Sequence, residues 1–157
     1  MSSYAVKHVV AKTSDLLSLN LSEISTAPCS YTSKKTEANR AADGNYVYVI
    51  EVHTERKPYK KIYRLAYKYR AFEVIELDKG ALWKNKYRFK NTVKLDRIAE
   101  GTYFEEPVEI KDLSFYVWYL KKCQGMCKID PLFVPILDAL FDTPSNNARV
   151  FKYPSIT

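Results

Sequence analysis

The stretch Lys61–Ala71 (KIYRLAYKYRA) decides the fold class, because apolar and basic side chains alternate along it. Successive side chains of a β-strand point to opposite faces of a sheet, so a period of two predicts a strand. One face of this strand is predicted to be cationic, through Arg64, Lys68 and Arg70. The other face is predicted to be apolar and aromatic, and its members are Tyr63, Leu65, Tyr67, Tyr69 and Ala71.

Further strands are predicted on both sides of this stretch. Asn45–Val52 is apolar on both faces, as is typical of a central strand, and Thr54–Tyr59 predicts a hairpin turn that contains a proline. Tyr4–Ala11 predicts the first strand, and Tyr87–Leu95 again alternates apolar with basic residues. After residue 71 the alternation loses phase over Phe72–Leu77, which indicates a bulge or a bend.

Helices are predicted mainly near the C-terminal end. Asp130–Phe141 places leucine and isoleucine at helical spacing behind an Asp-Pro start signal. A short helix is predicted after Thr13, and the polar segment 25–44 predicts a long surface loop with a helical turn near Thr36–Ala41. The order of elements predicts an α+β fold, a small, twisted, mostly antiparallel pseudo-barrel of five or six strands with helices at its ends. We expect one domain over residues 1–142 and a tail over 143–157.

Charge is concentrated in one part of the chain. The 157 residues include 25 Lys and Arg against 18 Asp and Glu, a net charge of +7. Residues 55–97 alone hold 14 basic and five acidic side chains, a net charge of +9, so the rest is slightly acidic. Such a local excess favours a polyanionic partner. The alternative is an ordinary solvated strand face.

Few residues point to catalysis or to a metal. The chain has two histidines, His8 and His53, and no glycine-rich phosphate loop, so acid–base and nucleotide chemistry are disfavoured. Cys123 and Cys127 lie four residues apart, which on a helix places them on one face, but no second pair completes a zinc site. We therefore expect no metal and no cofactor, half-buried free thiols, and a reducing, cytoplasmic compartment.

The aromatic residues are the stronger functional signal, with 13 Tyr, 7 Phe and 2 Trp. Aromatic faces stack on bases while nearby lysine and arginine neutralise phosphates, which is the combination that single-strand recognition needs. Tyr63, Tyr67 and Tyr69 are interpreted as core residues, and so is Trp118 in its apolar run. Trp83 lies in a polar, basic loop, where it is either a plug over the end of the barrel or an exposed platform for a ligand.

Several short segments carry a resemblance to a known family. They are Tyr4–His8, Ile24–Thr26 with Pro28, Lys34, Lys35 and Arg40, Leu82–Phe89, and Val93–Leu95 followed by Pro107–Leu113. Taken together they resemble the PUA-like superfamily, in its EVE and YTH branches. The family implies a small α+β pseudo-barrel that recognises a modified base in an aromatic cage.

The resemblance also implies roles for individual residues. Trp83 would form a wall of the cage, Ser25 and Thr26 would line the pocket, and Lys34, Lys35 and Arg40 would contact phosphates. Ile24 stands where the family has its first cage tryptophan, and an aliphatic side chain cannot supply the same stacking or cation–π attraction. Tyr31 is the candidate substitute for that aromatic ring.

The first functional hypothesis is a non-catalytic module that binds a single-stranded or flipped base of DNA or RNA, with or without a methyl group. The predicted base-binding residues are Trp83, Ser25, Thr26, Ile24 and Tyr31. The predicted phosphate-binding residues are Lys7, Lys34, Lys35, Arg40, Arg64, Lys68, Arg70, Lys84, Lys86 and Arg88. No membrane contact is expected, and a protein partner in a larger restriction or RNA-processing complex is compatible with this hypothesis.

Two alternatives belong to other classes of function. One is a protein-interaction, assembly or viral accessory module whose basic face binds an acidic partner. The other is an enzyme on the same type of barrel, which would need a polar cluster such as His8 beside a carboxylate in a cleft. Binding to oligonucleotides at physiological salt separates the first hypothesis from both alternatives.

Overall fold

The computed structural model of the protein describes residues 2–9, 28–32, 34–76, 87–90 and 101–151. The strands in these ranges are β1 (Ser3–Val9), β2 (Cys29–Thr32), β3 (Tyr46–Arg56), β4 (Tyr59–Arg70), β5 (Glu73–Glu76), β6 (Tyr87–Lys90), β7 (Gly101–Glu109), β8 (Met126–Lys128) and β9 (Ala148–Val150). The helices are α1 (Lys35–Ala41), α2 (Leu113–Lys122) and α3 (Val134–Asp142), with 3₁₀ turns at Pro131–Phe133 and Pro144–Asn146.

The strands form two sheets. The larger has the order β8-β1-β3-β4-β7-β9, and the smaller has the order β2-β6-β5. Strand β1 runs parallel to β3, whereas the other pairings are antiparallel. Within the described residues the larger sheet is open, with β8 and β9 at its edges. The predicted α+β class is therefore confirmed, with a mixed six-stranded sheet at its centre.

The predicted strands on either side of residue 57 are present with shifted ends. The central strand β3 extends to Arg56, four residues beyond the prediction, and pairs through the turn at Lys57-Pro58 with β4. Both faces of β3 are buried, as its apolar sequence predicted, because α1 packs near one face and the two later helices pack on the other. The helix predicted after Thr13 lies outside the described residues.

A β-bulge in β4 corrects the predicted faces of this strand. Leu65 pairs with Ile50 and Tyr67 pairs with Val49, so Ala66 is an extra residue that has no partner in β3. The bulge reverses which face each later side chain points to. Tyr63 and Leu65 therefore pack on the face covered by α2 and α3, whereas Tyr67 and Tyr69 pack on the face nearer α1. The predicted single apolar face and single cationic face are wrong, although the tyrosines are core residues as interpreted.

Two tyrosines connect the larger sheet to the smaller one. The hydroxyl of Tyr67 donates to the carbonyl oxygen of Cys29, and the hydroxyls of Tyr69 and Ser30 are 2.6 Å apart. Both contacts reach β2, which lies inside the segment predicted to be a loop. The smaller sheet thus lies against the α1 side of the larger sheet. The helical turn predicted near Thr36–Ala41 is confirmed as α1.

The segment predicted to be a tail begins with ordered structure. Strand β9 pairs with β7, and the ring of Phe151 is buried between Tyr67 and Tyr103, at centroid distances of 5.9 and 5.1 Å. Gly101 makes room for this ring, since a Cβ there would lie 2.6 Å from it. The packed part of the domain therefore extends at least to Phe151, beyond the boundary at residue 142.

The helix predicted from Asp130 is confirmed, but one of its aspartates has an unpredicted role. Asp130 caps the 3₁₀ turn by accepting from the backbone N–H of Leu132 at 3.1 Å. Asp138 accepts from the hydroxyl of Tyr48 at 2.6 Å and from Lys68 Nζ at 2.9 Å. This carboxylate fixes α3 to β3 and β4, because the two donors come from those two strands.

Cys123 and Cys127 do not share a helix face. Helix α2 ends at Lys122, Cys123 is its C-cap, and Cys127 lies in β8. The two sulfur atoms form a disulfide across a Cα–Cα distance of 5.3 Å. The prediction of two free thiols is therefore wrong, because the turn at Gly125, which has a positive φ of 74°, reverses the chain between them. Among the described residues, no helix has both the length and the apolar character needed to cross a membrane.

The start of α2 gives a test of local stability. Asp112 Oδ1 accepts from the backbone N–H of Phe115 at 2.9 Å and so caps the helix. We expect Asp112→Ala to lower the free energy of unfolding by about 1 kcal/mol, the usual effect of losing such a cap. Chemical denaturation measures this value, and Ser114→Ala, at an exposed position of the same first turn, is the matched control. Equal stability of the Asp112→Ala variant and the wild type would contradict the capping role.

Candidate anion-binding site

A cavity of about 320 Å³ opens at the β8 edge of the larger sheet. Helix α1 packs near one face of this sheet and α2 packs on the opposite face. The cavity lies between α1 and the C-terminal end of α2. Its lining residues are Tyr4, Lys34, Glu37, Arg40, Lys121, Lys122, Gln124, Met126, Cys127 and Lys128. We call this space the cationic cavity, since five of those ten side chains are basic.

The charge of the cationic cavity is almost uncompensated. Its five basic side chains are Lys34, Arg40, Lys121, Lys122 and Lys128, and Glu37 is its acidic one. Each of the five is exposed to solvent. None of them forms an ion pair with another residue in the described part of the chain. The excess of four positive charges around one space therefore produces a local field that attracts anions.

Three separate elements bring these cations together. Lys34 is the N-cap of α1 and Arg40 lies in the last turn of that helix. Lys121 and Lys122 lie in the last turn of α2, where the helix dipole favours positive charge. Lys128 ends β8 and pairs in register with Tyr4 of β1. Strands β8 and β1 belong to the sheet on which both helices pack. The backbone of this sheet therefore connects the cations of α1, of α2 and of β8.

The inner wall of the cavity is apolar. Tyr4 and Met126 are almost fully buried there, at 5% and 3% exposure, and both belong to the core cluster shared with α1. Buried side chains of this kind keep the wall rigid while the lysines at the rim remain solvated. The arrangement can therefore hold an anion at the rim, beside a wall that belongs to the core.

Lys7, a predicted phosphate contact, has a structural role. Its Nζ donates to the carbonyl oxygen of Cys123 at 2.7 Å and lies 4.9 Å from the centre of the Tyr119 ring. Burial, with a further effect of Lys61, lowers the pKa of Lys7 below its usual value. Lys7 therefore binds the end of α2, and its assignment as a phosphate contact stays a prediction.

The predicted basic face of β4 is also engaged within the protein. Arg64 Nη1 lies 3.8 Å from the carboxylate of buried Glu51, and Lys68 is bound to the aspartate of α3 described above. Arg70 Nε donates to the carbonyl oxygen of Gly44 at 2.9 Å. These three residues also lie on different faces because of the bulge. The three residues therefore do not form a single cationic face, and their assignment as phosphate contacts stays a prediction.

The remaining predicted site residues lie at different places in the chain. Lys34 and Arg40 line the cationic cavity, whereas Lys35 is exposed on α1 without lining it. Tyr31 and Arg88 are paired in register between β2 and β6. The residues that lie outside the described ranges are Ile24, Ser25, Thr26, Trp83, Lys84 and Lys86.

Sequence reasoning missed the three cations of the C-terminal third. Residues 55–97 drew attention because their charge excess is contiguous, whereas Lys121, Lys122 and Lys128 belong to a remainder that is slightly acidic in sum. The adjacent pair Lys121-Lys122 at the end of an apolar helical run was the signal that could have indicated a cationic helix end. Their proximity to α1 depends on long-range packing.

The cationic cavity is distinct from a metal site. Across the part of the chain that the structure describes, no three His, Cys, Asp or Glu side chains group closely enough to hold a metal ion. Comparison of the chain with protein-family models, with curated proteins and with solved structures finds no significant match. The cavity and its charges are therefore the features of the described structure that indicate a function.

Proposed function

We propose that this protein is a non-catalytic, cytoplasmic module that binds single-stranded nucleic acid through the cationic cavity. The observation that supports the proposal is the convergence of five basic side chains, with one acidic neighbour, on a single cavity. Phosphate contacts by lysine and arginine supply most of the affinity in sequence-independent nucleic-acid binding. DNA and RNA both carry this phosphate backbone, so the proposal covers both.

The size of the cavity favours a single strand over a duplex. Its volume of about 320 Å³ is at the small end of the range for ligand sites, which is sufficient for one nucleotide. A protein that reads a duplex would instead present a helix or strand to a groove.

The PUA-like pseudo-barrel with an aromatic cage remains part of this proposal. Two features support it: the smaller sheet lies against the tyrosine-rich side of the larger one, and Lys34 and Arg40 of the resembling segment line the cavity. In this proposal Trp83, Ser25, Thr26, Ile24 and Tyr31 contact a base, with or without a methyl group. The domain would act alone or as a part of a larger nucleic-acid-processing complex.

Salt dependence is the experiment that tests the proposal. Each phosphate that a basic side chain neutralises contributes about −0.7 to the slope of log K against log salt for a single strand. One phosphate along the strand for each of the five rim cations therefore predicts a slope of about −3.5. We expect fluorescence anisotropy with a labelled 12-nucleotide DNA or RNA to show this slope between 50 and 200 mM salt. The same oligonucleotide as a duplex is the matched comparison and is expected to bind more weakly.

Two results would contradict this proposal. Absence of binding at 50 mM salt would exclude a nucleic-acid site and favour an acidic protein as the partner. A slope near zero, despite binding, would show that the cations of the cavity do not contact phosphate.

A further inference from the structure

The disulfide between Cys123 and Cys127 forms part of the wall of the cationic cavity. Cys127 is half-buried and lines the cavity, whereas Cys123 is buried at 1% exposure behind it. Their Cα atoms are 5.3 Å apart, a separation typical of disulfide-bonded cysteines. Cys127 is therefore the half of this disulfide that borders the cavity, whereas Cys123 is enclosed by the core.

The disulfide joins the two groups of lysines that form this side of the cavity. Lys121 and Lys122 immediately precede Cys123, and Lys128 immediately follows Cys127. The bond thus fixes the end of α2 against β8 across a turn of three residues. Besides the disulfide, three hydrogen bonds join this region to β1: from Lys7 N–H to the carbonyl oxygen of Gly125, from Lys7 Nζ to that of Cys123, and from Ile129 N–H to that of Ser3. Three register pairs join β8 to β1, and the disulfide is the covalent link between the end of α2 and β8.

We propose that this disulfide is a redox switch for anion binding, in which the oxidised form binds nucleic acid more tightly than the reduced form. The inference rests on the proposed function, because it concerns regulation of the same cavity. Disulfides in proteins of reducing compartments are usually transient or redox-sensing rather than structural. A disulfide that borders a ligand site fits that pattern.

The switching reaction is thiol–disulfide exchange with a dithiol reductant. A thiolate of the reductant attacks Sγ of Cys127, forms a mixed disulfide, and releases Cys123 as a thiolate that takes up a proton. The second thiol of the reductant then attacks its own sulfur in the mixed disulfide and releases the Cys127 thiolate, which is protonated in turn. Two electrons pass to the protein and the dithiol becomes a disulfide. The lysines around Cys127 attract the attacking thiolate.

Reduction lowers the affinity for a single strand because the lysines of α2 and β8 are then no longer held in position before binding. In the oxidised form the lysines of α2 and Lys128 are held at one separation before any ligand arrives. In the reduced form the end of α2 and β8 move more freely, so a phosphate chain must order them on binding, at a cost. We expect a loss of affinity of about threefold to tenfold, the range produced by ordering one or two side chains.

The test uses the full chain with Cys29, the remaining cysteine, replaced by serine to remove its free thiol. Affinity for the 12-nucleotide single strand is measured after oxidation and after treatment with dithiothreitol, while thiol counting reports the state of the bond. The double variant Cys123→Ser, Cys127→Ser is the matched control. We expect it to bind as the reduced protein does and not to respond to dithiothreitol.

The outcomes separate this inference from the proposed function. Equal affinity in both redox states, with the bond shown to open, would overturn the switch and leave nucleic-acid binding intact. Two free thiols after oxidation would overturn the switch directly. Absence of binding in both states would overturn the proposed function and the switch together. Tighter binding by the reduced protein would contradict the proposed direction.

Discussion

The free energy of unfolding is expected to fall steeply above pH 10. Three tyrosine hydroxyls, those of Tyr48, Tyr63 and Tyr119, lie in the core between the larger sheet and its helices. Burial raises the pKa of Tyr63 to about 12 and raises the pKa values of Tyr48 and Tyr119 above their usual range. A hydrogen bond to Asp138 raises that of Tyr48 further.

The free energy of unfolding falls with rising pH because the unfolded chain releases its tyrosine protons at a lower pH than the folded protein does. The unfolded chain ionises its tyrosines near pH 10, whereas the folded protein keeps them protonated to a higher pH. The contribution of these tyrosines to the free energy of unfolding is therefore fully present below pH 10. It is lost as the pH rises, at about 1.4 kcal/mol per pH unit for each tyrosine. Three tyrosines together predict a loss of about 4 kcal/mol per pH unit, which is large against the total stability of a typical domain.

Two phenylalanine variants test this account by denaturation at pH 7 and pH 11. The hydroxyl of Tyr119 has no hydrogen-bond partner in the described structure, so Tyr119→Phe is expected to raise stability at pH 7 by about 1 kcal/mol. It should also reduce the loss at pH 11 by about a third. Tyr48→Phe is the matched comparison and should destabilise at pH 7, because it removes the bond to Asp138. Identical pH profiles for all three proteins would contradict the burial argument.

The second large effect concerns nucleic-acid affinity. We expect the double reversal Lys121→Glu, Lys122→Glu to weaken binding of a single strand by about a hundredfold to a thousandfold. Each exposed cation near a polyanion contributes about 1 kcal/mol, and each reversal removes one attraction and adds one repulsion. The slope of log K against log salt should also become shallower. Fluorescence anisotropy at fixed salt measures both values.

A reversal of equal charge elsewhere separates the cavity from the net charge. Lys57 and Lys60 are exposed at the β3–β4 hairpin, about ten residues along β3 from the level of Tyr4, or roughly 33 Å. Lys57→Glu, Lys60→Glu changes the net charge by the same amount and is expected to lower affinity by less than about tenfold. Similar losses in the two double variants would show that binding follows overall charge. Thermal unfolding of each variant confirms that it is folded.

Local patterns predicted the elements whose contacts lie close in sequence. The two-sided apolar run of β3 and the Asp-Pro start before α3 both gave correct assignments, because the burial of a central strand and the capping of a helix depend on neighbouring residues. The alternation in β4 predicted a strand correctly but assigned its faces wrongly. One extra residue, Ala66, reversed them, and an alanine between leucine and tyrosine gives no sign of a bulge.

The candidate site was harder to predict from the sequence, because contacts between distant segments of the chain bring its cations together. Lys34 and Arg40 were predicted as phosphate contacts from a resemblance, and the structure places both on the cationic cavity. Lys121, Lys122 and Lys128 join them only because β8 forms the edge of the larger sheet beside β1 and the end of α2 lies next to it. The disulfide that connects those two elements depends on the turn at Gly125, whose effect on two cysteines four residues apart is not visible in their spacing.

Lysine footprinting tests the central claim, that single strands bind at the cationic cavity, most directly. The protein is labelled with an amine-reactive reagent, with and without a saturating 12-nucleotide strand, and each lysine is quantified by mass spectrometry. The account predicts protection of Lys34, Lys121, Lys122 and Lys128, with Lys57 at the hairpin unchanged. If the four cavity lysines stay fully reactive while the strand is bound, the cavity is not the binding site.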